Sequence, residues 1–122
     1  MTFLTEDQKD KLKDFVIFAK NHLGLKNAPK VVLQNGRKDL KTTANYDYTK
    51  PEKVVKINAK NRMLVDVMRS IAHELVHHRQ FEQGRLGVKP PDIGGEIEDE
   101  ANAVAGQIIK LYAQEDQTIY DE

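Results

Sequence analysis

The stretch "IAHELVHHRQ" (residues 71–80) carries His73-Glu74-x-x-His77 inside a mostly apolar run. On a helix, residues four apart stand one turn from each other on the same face. Both imidazoles can then reach one ion about 2.0–2.1 Å from each ring nitrogen, and the glutamate beside them can act as a general base. The same pentapeptide also arises on ordinary amphipathic helices whose polar stripe merely faces water. The surrounding residues decide between the two. With His73 at zero and about 100° per residue, Asp66, Arg69, Ser70, His77 and Gln80 fall between roughly −40° and +60°, and Glu74 lies near 100°. Leu64, Val65, Val67, Met68, Ile71, Ala72, Leu75 and Val76 occupy the rest of the circumference. A helix buried on most sides with one polar stripe opens that stripe onto a cleft. We therefore read His73 and His77 as metal ligands.

A zinc ion that does chemistry commonly has three protein ligands and a water in the fourth position. The chain has no cysteine, which excludes disulfides and thiolate sites and leaves His, Asp or Glu as donors. An extended pattern ending in a third histidine would need glycine at 80 and histidine at 83, where this chain has Gln80 and Gln83. His78 points about 140° around from His73, toward the apolar side. His22 lies near a helix C-terminus, where a cation is favourable in its own right. The carboxylates of "GGEIEDEANAVAGQIIKLY" remain. With Ile97 at zero, Ala101, Val104, Ala105, Ile108, Ile109, Leu111 and Tyr112 share with it an arc from about −40° to +120°. Glu98, near +100°, is the acid inside that arc, whereas Glu96, Asp99 and Glu100 fall outside it. Attraction to the helix start accounts for Glu96 and Glu100. A buried carboxylate needs a compensating partner, and a metal supplies one. Glu98 is the favoured third ligand, with Glu96 and Glu100 as alternatives.

The elements that must position these residues follow from local signals. Thr5-Glu6-Asp7-Gln8 fits a capping box opening a helix that carries Phe15, Phe18, Ala19 and His22 and stops at Gly24. Pro29 introduces "KVVLQ", a β-rich run closed by Asn35-Gly36, a strong hairpin signal. "TTANYDYT" (42–49) reads as a second strand, Lys50-Pro51-Glu52 as a turn, and "KVVKINA" (53–59) as a third strand. A helix from about Arg62 to Gln83 ends at Gly84, and "GRLGVKPPDIGG" is a loop. A last helix runs from about Glu96 to Ala113, followed by an acidic tail over 113–122. The order predicts a single α+β domain spanning 1–122.

Hydrophobic residues make up 39% of the chain and charged residues 31%, a globular balance. No apolar stretch reaches the length of a membrane span, and Met1–Lys9 lacks the apolar core of a signal peptide. A cytoplasmic location with no membrane partner is expected. Residues 1–61 carry 13 Lys/Arg against 7 Asp/Glu, and residues 62–122 carry 6 against 12. A solvated surface explains this asymmetry, and no motif with interleaved aromatics points to nucleic acid. Nothing specifies an oligomeric state.

His73-Glu74-x-x-His77 followed by Glu98-x-x-Ala101-Asn102 resembles the gluzincins, zinc metallopeptidases with glutamate as third ligand, and most of all their compact forms, the minigluzincins. The Glu-x-x-Ala-Asn pattern is also similar to the ImmA/IrrE type. The resemblance runs from the strand at 53–59 to about Ala105. It implies a minimal zincin-like domain in which His73, His77 and Glu98 hold Zn2+, Glu74 is the general base and Asn102 orients a ligand histidine. It also implies that the strand at 53–59 is the edge that lines the cleft and pairs with an extended peptide or protein substrate. Oxyanion-stabilising candidates are Tyr46, Tyr48, Tyr112, Tyr120, His78, Arg79 and Arg85, and the residues do not choose among them. The alternative is a catalytically silent, zinc-stabilised binding or assembly module of the same fold. A weaker alternative is a nucleic-acid-associated protease using the basic first half. The tail reads as a frayed terminus, or as a segment lying in the cleft with a carboxylate on the metal.

Overall fold

Thr5 caps the first helix as its sequence requires. In the computed structural model of the protein, which describes residues 4–34, 44–47, 51–60, 62–86 and 95–121, the Gln8 N–H donates to the Thr5 hydroxyl at 3.1 Å and the Thr5 N–H donates to Gln8 Oε1 at 3.0 Å. The helix so opened, α1, spans Glu6–Leu23 and ends at Gly24, whose φ of 65° lies in the left-handed region that suits glycine. Its inner face buries Leu12, Phe15, Ala19 and Leu23.

Three strands follow: β1 (Lys30–Gln34), β2 (Ala44–Asp47) and β3 (Val54–Asn58). Their order in the sheet is β1-β3-β2. β3 pairs in parallel with β1, Lys30 opposite Val54 through Gln34 opposite Asn58. It pairs antiparallel with β2, Ala44 opposite Ile57 through Asp47 opposite Val54. Two expectations are thereby corrected. Asn35-Gly36 lies outside the described residues, and the strands on either side of it do not form a hairpin, because β3 separates them. The strand at 53–59 is the central strand and not an edge. Its alternation explains this, since Val55 and Ile57 are both fully buried and so suit the strand covered on both sides.

The second helix, α2 (Leu64–Glu82), runs through the middle of the molecule and touches α1, the sheet and the last helix. Leu64, Val67, Met68, Ile71, Ala72, Leu75 and Val76 are each no more than 1% exposed. Arg62 ties β3 to the start of α2: Nη1 donates to the Asn58 carbonyl at 2.9 Å, and Nη2 donates to the Asp66 carbonyl at 2.9 Å and the Ser70 hydroxyl at 2.7 Å. Near the other end of α2, the Lys26 and Asn27 N–H groups donate to the Glu82 carboxylate at 3.0 and 2.8 Å. The helix is thus tied at one end to β3 and at the other to the segment between α1 and β1. His78 reinforces this, buried between the Tyr46 hydroxyl at 2.6 Å and the Asn27 carbonyl at 2.6 Å.

The third helix, α3 (Gly95–Glu115), packs along α2 with Ala101, Ala105, Ile108 and Ile109 buried, while Tyr112 meets Phe15 and Phe18 of α1, ring centres 5.1 and 5.3 Å away. Leu111, expected on this face, is 37% exposed; it sits at the margin of the apolar arc, and the small residues of a narrow seam suffice for contact. The described part of the acidic tail is not frayed. Gln117–Asp121 forms a 3-10 turn against α2 and α3, with Ile119 fully buried and the Lys11 ammonium donating to the Thr118 hydroxyl at 2.8 Å. One apolar side chain with a place to dock outweighs the acidic composition around it. Three helices and a small mixed sheet make an α+β domain. Among the described residues, no helix is long and apolar enough to cross a membrane.

Candidate metal centre

The polar stripe of α2 opens onto a cleft of about 580 Å³. Asp66, Arg69, Ser70, His73, Glu74 and His77 line it from α2, Glu98 and Asn102 from α3, and Ala44 from β2. Arg62 completes the wall. The cleft lies between α2 and α3, with β2 beside it. β2, at the outer side of the sheet, supplies the strand wall expected of the strand at 53–59.

His73, His77 and Glu98 each present a ligand-type atom, and these lie within 4.8 Å of one another; no other such group of three occurs among the described residues. His73 Nε2 is 3.1 Å from His77 Nε2 and 3.4 Å from Glu98 Oε2. His77 Nε2 is 2.6 Å from Glu98 Oε1. Donors about 2.0–2.1 Å from one tetrahedral ion stand about 3.3 Å apart. Two of the three separations match that spacing, and the third needs to open by only a fraction of an ångström. Two imidazole nitrogens at 3.1 Å cannot face each other with bare lone pairs, so a proton or a cation belongs between them. The donor set of two imidazoles and one carboxylate fits zinc.

The outer nitrogens of both rings are engaged. His73 Nδ1 is 2.8 Å from Asn102 Oδ1, and His77 Nδ1 is 2.7 Å from Gln80 Oε1. Burial first, and then the neighbouring His77, lower the pKa of His73, with Glu98 and Asn102 opposing. That favours the neutral imidazole, the form that ligates. Glu74 is 7% exposed. Burial pushes its carboxyl up to about 7, His77 opposes this and Glu98 adds to it.

The other acids separate clearly. Glu96 and Asp99 are exposed. Glu100 is no mere helix-start acid: Arg85 Nη1 and Nη2 donate to its two oxygens, both at 2.9 Å, and Gln80 Nε2 donates to Oε1 at 3.0 Å. These bonds, Arg85 first, hold Glu100 below its ordinary value. Glu98 is the carboxylate that meets both histidines, as its face on the helix indicates.

Most of the expected oxyanion donors are occupied elsewhere. Tyr46 and His78 bond each other, and the Tyr112 hydroxyl donates to Asp14 at 2.7 Å. Arg79 and Arg85 face Glu100, and Tyr48 lies outside the described residues. Tyr120 lies near the rim, lining a shallow hollow with Arg69 and Asn102. His22 stacks on Phe18, ring centres 6.4 Å apart, and takes no part in the ligand cluster. Sequence reasoning missed Arg62, which precedes the helix and carries no periodic signal. It also passed over Gln80 as a partner of His77, although the three-residue spacing on one face was there to be read. Comparison of the chain with protein-family models, with curated proteins and with solved structures finds no match.

Proposed function

We propose that the protein is a zinc-dependent peptidase of the gluzincin type, with His73, His77 and Glu98 as ligands and Glu74 as general base. The observation that carries this reading is the convergence of three ligand atoms within 4.8 Å beside a buried carboxylate in an open cleft. Zinc held there would supply Lewis-acid polarisation of a scissile carbonyl and a more acidic water.

The chain's own residues supply the rest. His73 and His77 offer Nε2 inward while their Nδ1 atoms meet Asn102 and Gln80, which fixes the rings about both axes. Glu74 takes a proton from the attacking water and returns it to the leaving amine. A carboxyl group displaced toward neutral pH suits both directions of transfer. Arg62 and Arg69 place positive charge along the wall, where an oxyanion gains from nearby cations.

The test is metal content together with turnover. Protein purified without chelators should hold one zinc per chain, and Glu74→Gln should keep the metal while abolishing cleavage of a denatured protein substrate. Absence of stoichiometric metal sinks the reading. Bound zinc with no Glu74-dependent cleavage leaves the silent, zinc-stabilised module in its place.

A further inference from the structure

Gln80 is fully buried one turn beyond His77. Its two amide ends meet different neighbours. Oε1 is 2.7 Å from His77 Nδ1. Nε2 is 3.0 Å from the Ile97 carbonyl and 3.0 Å from Glu100 Oε1. A primary amide has a donor end and an acceptor end. Two acceptors on one side admit only the NH2 group there, so the carbonyl must face His77. An acceptor at His77 Nδ1 requires the ring to carry its hydrogen on that nitrogen. The lone pair is left on Nε2, the nitrogen that faces His73 and Glu98.

We propose that Gln80 is the positioning residue that sets the tautomer of His77, and that α3 enforces it through Ile97 and Glu100. The inference rests on the metal-centre reading. Without Gln80, a neutral His77 would move its hydrogen to Nε2 and donate to Glu98, 2.6 Å away. That arrangement blocks both ligands at once. Glu100 in turn is gripped by Arg85, which follows the end of α2 and whose own N–H donates to the Gln80 carbonyl at 2.9 Å. The residues that close α3 onto α2 are therefore the ones that prepare the second histidine. Asn102 bears on His73 from the same helix, so a single helix supplies a ligand and orients both rings.

The experiment measures zinc affinity by competition with a chromogenic chelator, alongside histidine ring 15N shifts of the metal-free protein at a pH where the rings are neutral. Wild type should show His77 with hydrogen on Nδ1. Gln80→Met, similar in size but lacking the amide, should shift that ring to the Nε2–H form and weaken zinc binding by about 10–100-fold. A folded Gln80→Met with wild-type affinity overturns the proposal. If that variant does not fold, the wild-type shifts decide alone, and an Nε2–H ring there overturns it too. Wild type that takes up no zinc defeats the metal reading, a different failure, while the ring shifts still report the tautomer.

Discussion

Replacing Glu74 by glutamine should make the metal-free protein more stable above neutral pH. Glu74 is 7% exposed, and burial holds its carboxyl at about 7 against an ordinary value of 4.5. The raised value means that the fold favours the protonated form. Below pH 4.5 both folded and unfolded chains are protonated at this position, and the group is neutral in its effect. As pH rises toward 7 the unfolded chain loses the proton while the folded chain keeps it, so stability declines across that window. The gap is worth on the order of 3 kcal/mol at about 1.36 kcal/mol per pH unit. Glutamine has no charge to bury and escapes this decline. Urea denaturation in chelator at intervals from pH 4 to 8 should give matching stabilities at the acid end and diverging ones above it. By pH 8, Glu74→Gln should lead by roughly 3 kcal/mol, or about 10 °C in Tm for a domain this size. Zinc should shrink the lead, because a dication beside the carboxyl favours its ionised form. Identical pH slopes for the two chains would refute the reasoning.

Zinc at about a thousand times its Kd should raise stability by about 4 kcal/mol, and His77→Ala or Glu98→Ala should remove that gain in calorimetry. Glu82→Ala should cost about 1 kcal/mol, because the exposed Lys26 and Asn27 N–H donors exchange a charged acceptor for water. Burial alone would raise Glu82, but those N–H groups more than offset it and hold the carboxyl below its ordinary value; its stabilisation is therefore present above that value and fades as acid protonates the folded form. Acid titration of wild type against Glu82→Ala should show the difference closing at low pH. Ile119→Ala should cost about 2–4 kcal/mol in urea denaturation, since Ile119 is fully buried. Deleting 117–122 should lower Tm without raising any peptidase activity, because the turn docks on the helices outside the ligand cluster.

The parts of the site that could be read from sequence are those set by one helix at a time. His73, Glu74 and His77 belong to a stripe whose apolar complement lies within a few residues on either side, so periodicity alone places them at a cleft. Glu98 is similar, since a lone acid on an apolar arc requires a partner wherever that arc packs. What could not be read depends on meeting a distant segment. Gln80 owes its orientation to a backbone carbonyl at Ile97 and an oxygen of Glu100, 20 residues away, and neither leaves a mark on the pattern of α2. The sheet order escaped for the same reason: Asn35-Gly36 advertises a local hairpin, while the buried faces of Val55 and Ile57 favour β3 in the centre. Ile119 is one apolar residue in an acidic stretch, and only the groove between α2 and α3 makes it decisive.

Glu100 shows most clearly where the helical projection stops working. Its angle excludes it from the apolar arc, and the projection is right that it does not reach the ligand cluster. Yet a projection measures direction from one axis and takes no account of a neighbouring helix end. At the C-terminal end of α2, Arg79, Gln80 and Arg85 together present donors to whatever leans over them, and Glu100 does. Its carboxylate accepts from Arg85 and Gln80 and lies 3.8 Å from an Arg79 Nη, and the donation from Gln80 leaves the amide carbonyl facing His77. The acid set aside as ordinary helix-start chemistry is thus the residue through which the packing of two helices reaches a ring nitrogen.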